Sequence, residues 1–273
     1  MLQAALELTE ELGALTVTLD LGMEDVIRRA DVPRSAAYRL WPYRGDFIDD
    51  VIAKLASDDG LGLAIAEERS LGEAARELTD RANELASPEG RRALTLDLVR
   101  RFVRQNVHEL GSAPGWNTYV ALIAGANFMP EKRTAQRVAI ELQRNDRAFL
   151  RRMQDYYEGV GKLLGLRPRA SLTWRHFAIA AAAGLEGLVL RRSMIDPAKD
   201  VAREKLVDED DWTLDEFINA PIMATPSGSD VAEEWYLPAL TFLAVLDAFT
   251  EDDPDWSPDG LAALLGLEDR PAE

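Results

Sequence analysis

The chain contains no cysteine and only two histidines, His108 and His176. That excludes disulfides, thiolate nucleophiles and cysteine-held zinc or iron–sulfur centres, and leaves little from which to build a histidine metal site. No metal and no cofactor are expected. Long apolar runs are also missing: the longest, Ala178 to Leu190, is broken by Glu186 and is too short to span a bilayer. The first residues lack the basic flank and apolar core of a secretory leader, so a cytoplasmic protein with no membrane partner is expected. Positive charge is in short supply, with 31 bases against 48 acids and a net charge of −17. Attraction of the whole molecule to nucleic acid or to an anionic membrane is thereby excluded, and any such binding must be local. Alternating β-branched or aromatic stretches long enough to suggest a sheet are absent too.

What remains is apolar residues at the helical period along nearly all of the 273-residue chain, which predicts an all-α protein. Leu2, Ala5, Leu6 and Leu12 form one stripe, ending at Gly13. Met23, Val26, Ile27 and Ala30 mark a short second helix that ends at Asp31-Val32. A third runs from about Pro33 to Leu40, and a fourth from Arg44 to about Ala56. Beyond residue 57 the helices lengthen. The capping box opened by Ser70 begins one, Pro88 begins another that reaches about Leu110, and Trp116 to Ala126 forms a short apolar helix. Glu131 to Leu164 reads as one long helix or two abutting ones, and Ser171 to Met194 as a helix buried on more than one side. The proline-punctuated segment 196–229 reads as an extended connection. Asp230 to Phe249 reads as a second strongly apolar helix that Pro238 either starts or kinks, with a short helix near Asp259 to Leu265 to close. Two domains are expected, 1–57 and 58–273.

The charge is unevenly spread. Residues 197–273 hold four bases and twenty acids, whereas residues 88–169 hold fifteen bases and eight acids, so each block offers the other an intramolecular partner. Within the first domain, Arg28, Arg29, Arg34, Arg39 and Arg44 stand against Asp31 alone, a net of +4 over seventeen residues. Two short helices joined by a tight turn, braced by a preceding helix and carrying this cluster, form a candidate helix-turn-helix. Such a motif needs side chains at the N-terminal end of its second helix that reach base edges, and flanking groups that grip phosphate. Arg34, Ser35 and Arg39 are available for the first task.

The run from Val26 to Phe47, and above all Tyr38-x-x-Trp41-Pro42-x-Arg44-x-x-Phe47, resembles the DNA-binding domain of the tetracycline-repressor family. The resemblance covers about the first 55 residues. It implies that Tyr38 contacts a phosphate through its hydroxyl, that Trp41 wedges the recognition helix against the domain core, and that Arg44 binds phosphate. Gly22 stands where the family usually has a helix-capping threonine, Asp31 replaces the usual turn glycine, and Ala37 replaces a leucine. Ala183-Gly184-Leu185-Glu186-Gly187-Leu188 is similar to the penultimate, dimer-forming helix of that family.

The helices at 171–194 and 230–250 are the two apolar enough to supply a self-complementary homodimer interface, with Phe177, Ala181, Gly184, Leu188, Leu240 and Leu243 as its candidate residues. Aromatics between Trp116 and Phe177 either fill the helical core or line a cavity for a small, largely apolar effector. The candidates to touch it are Trp116, Tyr119, Asn127, Phe149, Tyr156 and His176, the last of which, on an apolar helix, reads first as a satisfied core histidine. No convergent acid–base set is visible beyond generic carboxylates, so no enzyme is expected. The expectation is therefore a dimeric repressor that binds a palindromic operator in double-stranded DNA and releases it when the effector binds. The alternative is an all-α effector-binding or protein-interaction dimer whose DNA-binding domain has decayed.

Overall fold

A computed structural model of the chain describes residues 1–12, 21–57, 72–73, 76–126, 131–193 and 218–257. Gly13, Ser70, Asn127 and the closing helix at 259–265 lie outside the described residues. In chain order the elements are α1 (Leu2–Leu12), α2 (Met23–Ala30), α3 (Arg34–Leu40), α4 (Arg44–Leu55), α5 (Pro88–Ser112), α6 (Pro114–Ala126), α7 (Lys132–Leu164), β1 (Leu166–Pro168), α8 (Trp174–Ser193), β2 (Ile222–Ala224), β3 (Glu233–Trp235), α9 (Leu237–Phe249) and β4 (Thr250–Asp252). Among the described residues the chain is thus mostly helical. None of the described helices is long and apolar enough to cross a membrane. Two compact units form, one of Met1–Ala66 with Ser112–Phe149 and the other of Glu67–Gly111 with Leu150–Glu273. Residues 112–149, expected from the sequence in the larger domain, fall in the first.

In the first unit the apolar spacings of α1, α2 and α4 converge on one core. Ala5, Val26, Phe47 and Val51 are wholly buried there, the two valines and the phenylalanine each worth about 1.5–3 kcal/mol as their apolar area leaves water. Leu122 of α6 and Val138 and Leu142 of α7 enter the same core. Asn145 ties α7 to the end of α4 by donating to the Ala56 carbonyl at 2.7 Å. Between α2 and α3, Asp31 takes the left-handed conformation at φ 50° and ψ 49°. Its N–H reaches the Arg28 carbonyl while the Val32 N–H reaches that of Ile27, both at 3.4 Å, the pattern that closes a helix at a left-handed residue. Pro33, φ −61° and ψ 130°, then sits one residue before α3 and not inside it.

In the second unit α8 packs along α9. Phe177 anchors the contact, its ring centroid 4.8 Å from Tyr157, 5.4 Å from Phe242 and 5.9 Å from Trp174, all edge-to-face. Arginines of α5 hold the C-terminal segment. Arg92 bonds Asp247 at 2.8 Å and the Ser227 carbonyl at 2.9 Å, and Arg100 pairs with Glu233 at 3.0 Å. Arg91 lies 3.6 Å above the Trp256 ring and Arg104 3.7 Å above that of Tyr236. Arg92 and Arg100 of the basic block are thus paired with acids of the C-terminal one.

Several expectations need correction. Strands do occur: β1 pairs antiparallel with β4 and β2 with β3, so residues 230–236 belong to a hairpin and not to the apolar helix. Gly228, at φ 81°, turns that hairpin, and a Cβ there would lie 2.8 Å from Arg92. Pro238 falls in the first turn of α9, where its missing N–H costs nothing, so it starts the helix. Helix α7 is one unbroken helix of 33 residues. The gap expected between Leu110 and Trp116 narrows to Ala113, with Pro114 opening α6.

Candidate nucleic-acid interface

Helix α3 is only seven residues long and buries one side chain, Ala37. Its main anchor is Trp41, the residue just past its end. Trp41 is buried edge-on against Phe47, centroids 5.2 Å apart at 72°, and its indole donates to Asp50 at 2.9 Å. Asp50 also accepts from Arg137 at 2.7 Å. Burial pushes the Asp50 carboxyl upward, but the bonds from Trp41 and Arg137 outweigh burial and hold it below its ordinary value. This placement fits the wedge that the resemblance implies for Trp41.

With Ala37 and Trp41 turned inward, Arg34, Ser35, Tyr38, Arg39 and Arg44 are all exposed. Beside them Leu40 and Tyr43 are 66% and 75% exposed, two large apolar groups that no motif in the sequence marks as part of the site. Their neighbours complicate the basic patch. Arg34 donates to Glu24 at 2.6 Å, and the Tyr38 hydroxyl donates to the same Glu24 oxygen at 2.7 Å. That bond raises the Tyr38 phenol above its ordinary value. Arg28 is paired with Asp25, and Arg29 lies 3.5 Å from Glu7. Arg44 donates to the Leu21 carbonyl at 3.3 Å. Arg39 has no ion-pair or hydrogen-bond partner among the described residues. Counting Glu24, Asp25, Asp31 and Asp46 against the five arginines leaves a local net charge of only +1 over residues 21–46. A Cβ at Gly22 would lie 2.5 Å from a carboxylate oxygen of the exposed Asp25 side chain.

The candidate effector residues do not gather in one unit. Trp116, Tyr119 and Phe149 belong to the first, Tyr156 and His176 to the second. Trp116 is buried with its ring 5.8 Å from Tyr119, and its indole N–H is buried with no acceptor among the described residues. Phe149 and Tyr156 are half-buried, and burial pushes the Tyr156 phenol up to about 12. His176 is neither a core histidine nor inward-facing. It is exposed at the start of α8, where its Nδ1 accepts from the Thr173 N–H at 3.1 Å while Thr173 Oγ1 accepts from the His176 N–H at 3.3 Å. Thr173 and His176 together cap the helix.

Of the candidate dimer residues, Phe177, Ala181 and Leu243 are 1%, 2% and 4% exposed within the single chain, so they have no surface to offer a second copy. They bury against their own chain because α8 and α9 need an apolar face for each other. Gly184, Leu188 and Leu240 are half-buried. A Cβ on Gly184 would lie 3.2 Å from the Thr241 methyl, so that glycine serves the α8–α9 contact. The outward faces carry Ile179, Ala183 and Leu190 on α8 and Ala244 and Ala248 on α9, all exposed. Comparison with family models, with curated proteins and with solved structures returned no match.

Proposed function

We propose that the chain is a ligand-responsive, homodimeric DNA-binding regulator of the tetracycline-repressor type. In this reading residues 1–57 carry a helix-turn-helix domain with α3 as recognition helix, and the protein acts as a repressor on a palindromic operator. The observation that carries it is α3 itself. A short helix wedged by Trp41 presents Arg34, Ser35, Tyr38 and Arg39 outward together, and Arg39 has no structural work to do inside the described chain. An arginine so placed suits bidentate bonding to guanine O6 and N7. The remaining helices would dimerise and bind a small apolar effector, which releases DNA by favouring a different spacing of the two recognition helices.

The test is mobility retardation of DNA from upstream of the protein's own coding sequence, followed by selection of the preferred site. Arg39→Ala should relax preference at particular base pairs by about 1–3 kcal/mol, leaving binding to unrelated duplex little changed. Equal loss on every sequence would demote Arg39 to a phosphate contact. Failure of both the unmodified protein and its Glu24→Gln variant to bind any duplex would leave the second reading, an effector-binding or protein-interaction dimer with a decayed DNA-binding domain. The pairing of Arg28, Arg29 and Arg34 with Asp25, Glu7 and Glu24 favours that second reading.

A further inference from the structure

We propose, resting on the DNA-binding reading above, that Glu24 is an intramolecular substitute for a DNA phosphate, which the duplex must displace before α3 can engage. Glu24 lies in the first turn of α2, and one of its oxygens accepts from both the Arg34 guanidinium, at 2.6 Å, and the Tyr38 hydroxyl, at 2.7 Å. An anionic oxygen taking one bond from an arginine and one from a phenol is the arrangement that a backbone phosphate would itself make with these two side chains. While Glu24 holds them, the Tyr38 proton is committed and the charge of Arg34 is matched.

The location sharpens the conflict. The first turn of a helix carries a partial positive charge and free N–H groups, and so attracts phosphate. Here that turn carries Glu24 and Asp25, and Gly22 brings no side chain to it. A phosphate approaching Arg34 and Tyr38 meets the Glu24 carboxylate. The exchange is feasible because the Arg34–Glu24 pair is largely solvent-exposed, and exposed pairs are weak enough for a multivalent polyanion to break. Binding in the unmodified protein is therefore held down at every sequence alike, which leaves base contacts to decide where the protein stays. If Glu24 served only to stabilise the start of α2, neutralising it would alter stability and leave affinity alone.

The test compares the full chain with Glu24→Gln, and with Glu24→Ala as a second variant. The probe is a fluorescently labelled mixed-sequence duplex of about three helical turns, followed by anisotropy over a range of salt. Neutralising Glu24 should tighten binding about fivefold at low salt and steepen the dependence of log Kd on log salt by about one phosphate contact. Adding Tyr38→Phe should remove part of that gain. Without DNA, an alkaline difference spectrum should show one tyrosine ionising at lower pH in Glu24→Gln. Binding by the variants but not by the parent would support the proposal most directly. Equal or weaker binding by both variants would overturn it while leaving the DNA-binding reading intact. No binding by parent or variants would overturn both.

Discussion

At the residue scale, one carboxylate links three elements of the first unit. Asp50 receives the indole N–H of the buried Trp41 and the guanidinium of Arg137, and so joins the end of α3 to α4 and α7 through a single side chain. Its pKa lies below the ordinary value of 3.8 because those bonds favour the charged form more than burial disfavours it. A carboxyl depressed in the folded state contributes stability above its unfolded value and loses it as the pH falls through the folded one. Asp50→Asn should therefore cost about 1 kcal/mol at neutral pH, a modest figure because the Arg137 pair is partly exposed and screened. Denaturant unfolding across a pH series should show the gap between parent and variant narrowing as the pH drops below the ordinary carboxylate range. A gap of constant size down to acid pH would mean that shape, not charge, holds Trp41.

At the scale of elements, the α2–α3 turn stores a small strain that can be measured. Asp31 adopts positive φ, a conformation that costs a non-glycine residue on the order of 1 kcal/mol, less for aspartate than for most. Glycine there removes the strain but adds unfolded-chain entropy, so Asp31→Gly should stabilise the chain by about 0.5 kcal/mol. A rise of about 1 °C in Tm would register it, and a fall would show that the aspartate side chain contributes something that the geometry does not reveal. This turn was legible in the sequence because Asp31-Val32-Pro33 is a stop signal between two clear apolar stripes. The boundaries of α2, α4, α7 and α8 were legible for the same reason. The β2–β3 hairpin was not. Ile222-Met223-Ala224 and Glu233-Glu234-Trp235 are too short to show alternation, and they are held by side chains of α5 more than a hundred positions away, Arg92 on Ser227 and Arg100 on Glu233. Glu24 stayed hidden as well, since nothing in the spacing of positions 24, 34 and 38 announces that they meet.

For the whole molecule, the outstanding question is what covers the outer faces of α8 and α9. Interior-facing residues of both helices are satisfied within the chain, yet Ile179, Ala183 and Leu190 on one and Ala244 and Ala248 on the other remain in water. Small residues on two adjacent helices allow the same pair from a second copy to approach closely, as a symmetric four-helix interface requires. Placing a charge there distinguishes an interface from an idle surface only if the site is free of intrachain neighbours. Gly184→Arg fails that condition, because any side chain at 184 presses on Thr241. Ala183→Arg and Ala244→Arg place the charge instead at residues exposed within the chain. Each should convert a dimer into a monomer in sedimentation velocity at micromolar concentration, keep the far-ultraviolet helical signal, and lose affinity for a palindromic site through the loss of its second half-site contact. Gly187→Ala, where an added Cβ meets nothing within 4 Å of its own chain, serves as the companion control for helix stability. It should raise Tm slightly in the monomeric variants. Should the unmodified chain itself sediment as a monomer, the two-fold reading of DNA falls with the dimer, and the exposed face of α8 and α9 must be assigned to some other partner.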